Sequence, residues 1–186
     1  MFILHIYAGL LLIQQRKNIF PLMKKLLFLI LISAFSLAVR AQEKPRLYNP
    51  SADAKADIAA AVKQASTQHK NVLLQIGGNW CSWCIRFNDL ATKDTTLDKY
   101  LNANYIVLHV NYSKENENEE ALAKLGYPQR FGFPVFIVLD GKGTRLHTQN
   151  SEYLEEGKGY SKDKILDFFK GWSPGALDPK SYTKAK

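Results

Sequence analysis

Cys81 and Cys84 are the only cysteines in the 186 residues, spaced Cys-x-x-Cys within Trp80-Cys81-Ser82-Trp83-Cys84. A thiolate is the attacking species in thiol–disulfide exchange, and a second thiol one helical turn away is near enough to resolve a mixed disulfide. The same pair could instead carry a soft metal ion, or close a bridge that only braces the chain. What holds the two sulfurs decides between these chemistries.

The flanking residues read as a strand, a joint and a helix. Val72-Leu73-Leu74-Gln75-Ile76 is an apolar run suited to a buried strand, Gly77-Gly78-Asn79 makes the joint, and residues 85–90 are helix-compatible. Cys81 then falls at or near a helix N-terminus. There the unpaired N–H groups and the positive end of the macrodipole stabilise a thiolate.

Trp-Cys-x-x-Cys between a buried strand and a helix resembles the thioredoxin superfamily, and the resemblance covers roughly residues 71–172. A second mark of that family is a cis-proline at the start of a later strand. Phe133-Pro134, ahead of Val135-Phe136-Ile137-Val138-Leu139, stands in its place, 50 positions beyond Cys84. The resemblance implies an α/β, thioredoxin-like fold: a central mixed β-sheet flanked by helices on both faces. It implies a protein-disulfide reductase or oxidoreductase in which Cys81 attacks, Cys84 resolves, and the pair cycles between dithiol and disulfide. Trp80, Trp83, Phe133 and Pro134 become substrate-facing candidates. The partners would be protein thiols and disulfides together with a redox partner. No metal and no organic cofactor is expected, and the protein is expected to be a monomer.

One departure from the family pattern matters. Thioredoxins carry a buried carboxylate six positions before the first cysteine, where it helps move the resolving cysteine's proton; here that position is Gln75. An amide hydrogen-bonds but does not exchange a proton at neutral pH. Gln75 is therefore either part of a substitute proton path or simply a satisfied buried amide. His109 lies near where thioredoxins often place a lysine beside that carboxylate. With its side chain toward the cysteines it would accept a proton or stabilise the thiolate; otherwise, turned away by strand alternation, it would be a core histidine hydrogen-bonded to backbone. The dipeptide between the sulfurs, Ser82-Trp83, lacks the histidine of strongly oxidising relatives, which points away from an extreme oxidant. Partial exposure is expected for Trp80, while Trp83 is open between gripping a client and packing inward.

The remaining elements follow from periodicity. Residues 43–50 read as irregular. Ser51 or Asp53 would cap a helix to about Gln68, and Thr95 or Thr96 would start another through Leu101. Tyr105 to Asn111 is a strand, Ala121 to Leu125 a short amphipathic helix, and residues 127–132 a loop. Asp140-Gly141-Lys142-Gly143 turns a hairpin into Thr144 to Thr148, with His147 at the surface. Residues 150–159 are a loop, Ser161 caps a helix over 162–172, and residues 173–186 are a polar tail. The domain thus spans residues 42–172.

The formal charge of +8 is concentrated at the front: five basic and no acidic residues precede Ala41, leaving 20 basic against 17 acidic after it. The remaining charge is mixed and gives no footprint for nucleic acid. Residues 1–41 read as a presequence. Met23-Lys24-Lys25 is a basic start, Leu26 to Val39 an apolar run, and Val39-Arg40-Ala41 a cleavage site, with Met23 as the expected true start. Export to the periplasm or beyond follows, without stable membrane insertion after cleavage. An uncleaved segment anchoring the chain in the membrane is the alternative, although the run is shorter than the roughly 20 residues a spanning helix needs. Two further function classes stand beside the oxidoreductase: a soft-metal carrier using both cysteines, and a redox-inert peptide-binding module with a structural disulfide.

Overall fold

A computed structural model describes Phe28 and residues 46–183. Residues 1–45 and the chain from Arg46 onward separate as two units, and every element below belongs to the second. Apart from Phe28, the expected presequence, its cleavage site and the start at Met23 lie outside the described residues. Among the described residues no helix is long and apolar enough to cross a membrane.

The elements run α1 (Ala54–Gln68), β1 (Asn71–Gly77), α2 (Ser82–Lys93), α3 (Thr95–Asn104), β2 (Tyr105–Asn111), α4 (Glu119–Lys124), β3 (Val135–Leu139), β4 (Arg145–Asn150), β5 (Glu155–Glu156), β6 (Gly159–Tyr160), α5 (Lys162–Gly171) and α6 (Pro174–Leu177). The main sheet has the order β2-β1-β3-β4. β1 and β2 are parallel, joined through helices, while β3 runs antiparallel to both β1 and β4. This is the mixed sheet expected from a helical crossover followed by a hairpin.

β1 is buried along its whole length and so is β3, as central strands covered on both faces must be. Alternation sorts the core into two layers. Val72, Leu74 and Ile76 of β1 pack with Ala61 and Ala65 of α1 and Leu122 of α4 on one face. Leu73 packs with Phe87 of α2, Leu97 and Leu101 of α3, and Ile165 and Phe169 of α5 on the other. Helices therefore cover both faces of the sheet.

Local chemistry sets the helix starts. Asp53 caps α1, its carboxylate accepting from the N–H groups of Lys55 (2.9 Å) and Ala56 (3.2 Å). Asp94 caps α3 in the same way through Thr96 and Leu97, one residue ahead of the threonines that the sequence suggested. Ser161 precedes α5 but makes no side-chain capping bond.

Other expectations change where contacts are distant in the chain. The loop before β3 contains a turn of 3-10 helix, Pro128–Phe131. Residues 150–159 are not one loop: a 3-10 turn, Ser151–Leu154, leads into the small β5–β6 hairpin. His147 is half-buried, stacked on Trp172 with ring centroids 4.2 Å apart. The polar tail holds α6, capped by Ser173, and a 3-10 turn at Pro179–Tyr182.

Candidate functional site

The joint between β1 and α2 works by close approach. A methyl group placed on Gly78 would lie 2.3 Å from Trp80 Nε1 and 2.8 Å from the Tyr112 carbonyl oxygen. Glycine there lets the indole N–H reach over the backbone and donate to that oxygen at 2.8 Å. Trp80 is 59% exposed and meets Phe133 edge-on at 5.4 Å. Phe133 in turn stacks on Tyr112 at 4.8 Å. Trp83 behaves differently. It is half-buried, edge-on to Tyr160 of the β5–β6 hairpin at 5.4 Å, with the Arg86 guanidinium 5.1 Å over its ring.

Cys81 is the N-cap of α2, and its sulfur accepts the Cys84 N–H at 3.1 Å. The two cysteines form a disulfide with an S–S distance of 2.09 Å. Cys81 retains 5% exposure and Cys84 none, so an incoming thiolate meets Cys81 first. On reduction the same N–H and the helix terminus favour negative charge on Cys81. Phe133 packs against the buried cluster formed by Tyr48, Cys81 and Cys84. The Phe133–Pro134 peptide bond is cis. Pro134 itself is buried, and Phe133 is the member of the pair that keeps exposure.

Behind the sulfurs, Gln75 is buried and satisfied. Its Nε2 donates to the Cys84 carbonyl oxygen at 2.9 Å and to the Tyr48 hydroxyl at 2.7 Å. Because a carbonyl can only accept, the amide must present its nitrogen there, and its orientation is fixed.

His109 pairs with Gln75 in the β1–β2 register and so shares the cysteine face of the sheet. Its ring meets the edge of Tyr48, with centroids 5.5 Å apart. Its Nε2 is buried with no hydrogen-bond partner among the described residues. Burial lowers its pKa to about 4, so it is neutral at pH 7 and supplies no positive charge to a thiolate.

Tyr48 is the site residue that the sequence did not disclose. It is fully buried in the segment expected to be irregular. Asn79 clamps its backbone twice, accepting the Tyr48 N–H at 3.0 Å and donating to its carbonyl at 2.7 Å. Burial pushes the phenol well above its ordinary pKa, so it stays protonated. These partners lie 27 and 31 positions away, and no local pattern announces such a contact. Among the described residues no group of three or more His, Cys, Asp or Glu side chains is placed to hold a metal.

Fold and site together are thioredoxin-like: a mixed sheet between two helical layers, with a Cys-x-x-Cys disulfide at the head of α2. A family model described as thioredoxin-like matches residues 53–141. The crystal structure of a disulphide isomerase from Xylella fastidiosa Temecula1 is similar at a TM-score of 0.60 and 25% identity, covering 70% of this chain and 97% of that one. Disulfide bond reductase DsbH from Chlamydia pneumoniae is 22% identical over 94 residues, 47% of this chain and 57% of that protein. The chain thus spans little more than half the length of this curated relative.

Proposed function

We propose that this chain is a thiol–disulfide oxidoreductase that exchanges disulfides with protein substrates outside the cytoplasm. The observation that carries the reading is the disulfide at the head of α2, with Cys81 as N-cap and Cys84 fully buried behind it. This asymmetry supports Cys81 as the attacking sulfur and Cys84 as the resolving one. The relatives named as a disulphide isomerase and a disulfide bond reductase support the same chemistry.

In the forward direction the Cys81 thiolate attacks a substrate disulfide, forming a mixed disulfide and releasing one substrate thiol. Cys84 then attacks Cys81 Sγ; the protein disulfide forms and the second substrate sulfur leaves and takes up a proton. Two electrons pass to the substrate, and a reduced redox partner must return them. Trp80, Phe133 and Tyr112 give a polypeptide client aromatic area beside the reacting sulfur. The basic Lys24-Lys25 followed by the apolar run from Leu26 to Val39 supports export, where such a pair has disulfide clients to meet.

The test is turnover: the protein mixed with a disulfide-bonded polypeptide and a thiol donor. Catalysed reduction that Cys81→Ser abolishes is expected. A wild-type rate equal to the donor alone would leave only a binding module. Equilibration of the Cys81–Cys84 couple with glutathione then places it on the scale from reductants at about −270 mV to strong oxidants at about −120 mV.

A further inference from the structure

With the amide of Gln75 behind Cys84 where a carboxylate would stand, the resolving sulfur still needs a group that favours its ionised form. A methyl group placed on Gly77 would lie 2.4 Å from Cys84 Sγ and 3.0 Å from the Tyr48 hydroxyl oxygen. Sulfur and phenol therefore crowd the same side of this glycine, separated by no more than those two lengths together. Tyr48, Cys81 and Cys84 also form one buried cluster. The fixed amide of Gln75 donates to the phenol oxygen, which leaves the phenol's own proton to point elsewhere.

We propose that Tyr48 is the positioning residue for Cys84, its hydroxyl donating a hydrogen bond to the Cys84 thiolate once the disulfide opens, with Gln75 and Asn79 holding it in place. The inference rests on the oxidoreductase reading and names the device that replaces the carboxylate at position 75. Tyr48 keeps its proton throughout. The Cys84 proton departs to solvent or to the leaving substrate thiolate, so the hydrogen bond changes how often Cys84 is ionised and not where its proton ends. A hydrogen bond to a charged acceptor is among the stronger ones in proteins, and burial removes the water that would compete.

The other titratable groups facing this cluster are Cys81 on α2, His109 on β2 across the Tyr48 ring, and Tyr160 on β6, which packs on Trp83 and Phe87. His109 is neutral above about pH 4 and burial holds Tyr160 protonated. From about pH 5 to about pH 9 the two thiols are thus the groups of this set that change charge.

Reaction of the reduced protein with 5,5′-dithiobis(2-nitrobenzoate) separates the two sulfurs in time. Attack by Cys81 releases one thionitrobenzoate, and attack by Cys84 on the mixed disulfide releases the second. Tyr48→Phe keeps the ring and removes the donor. It is expected to leave the first release within about twofold, slow the second about tenfold, and raise the pH midpoint of the second by about one unit. Gln75→Leu, which frees the phenol without removing it, is expected to slow the second release by a smaller factor. A Tyr48→Phe protein whose second release matches wild type in rate and pH midpoint overturns the proposal. A wild-type protein that makes no second release overturns this and the oxidoreductase reading together.

Discussion

At the scale of single residues, His109 and the sulfurs carry separate tests. The His109 ring is held neutral by burial, with its pKa lowered from 6.5 to about 4. Below pH 6.5 the unfolded chain binds this proton and the folded one does not, so stability falls as pH drops toward 4. The loss over that window is on the order of 3 kcal/mol. Urea midpoints at pH 7 and pH 4.5 should therefore differ more for wild type than for His109→Gln; equal differences would mean the histidine titrates normally. The order of attack gives a second test. Cys84→Ser should accumulate a mixed disulfide on Cys81 with a polypeptide client, visible as a thiol-sensitive mass adduct, because the resolving sulfur is gone while the accessible one remains. Gly77→Ala is a third. Its methyl would fall on Cys84 Sγ, so a loss of about 1–3 kcal/mol in denaturant unfolding is expected.

At the scale of elements, the caps and strands show what local sequence can specify. Asp53→Ala should lower the urea midpoint by an amount equivalent to about 1 kcal/mol, while Asp53→Asn should stay near wild type, because both side chains accept from the same N–H groups. The strand–joint–helix unit around the cysteines was legible because each part has a short-range signature: a buried β run, two glycines and a helix-compatible run after the cysteines. The hairpin turn at residues 140–143 was legible for the same reason. The β5–β6 hairpin was not. Its strands are two residues each and stand in polar sequence, and it is placed by Tyr160 meeting Trp83 and Phe87 from far along the chain. The stacking of His147 on Trp172 was hidden likewise, since strand alternation says which face a residue takes but not what comes to cover it. The sequence narrowed His109 to two roles. The β1–β2 register and the Tyr48 ring place it on the cysteine face, uncharged.

At the scale of the whole molecule, the disulfide is a poor staple. Bridging two residues three apart constrains a very short loop, and the chain-entropy estimate for such a loop is only about 2 kcal/mol. Two packed layers on a four-stranded sheet supply the cohesion instead. Oxidised and reduced protein should therefore both fold cooperatively, with unfolding free energies within about 2–3 kcal/mol of each other. Collapse of the reduced form would indicate a bridge kept for strength, as in the structural-disulfide alternative.

The double clamp of Asn79 on Tyr48 has a practical consequence for protein engineers. A graft cut to the span that the family model recognises, residues 53–141, would transplant both sulfurs, the amide behind them and the asparagine. It would leave behind the phenol at position 48. The host must also supply β4 and α5, whose Ile165 and Phe169 fill one core layer; on the proposal for Tyr48, such a chimera would begin exchange but be slow to finish it.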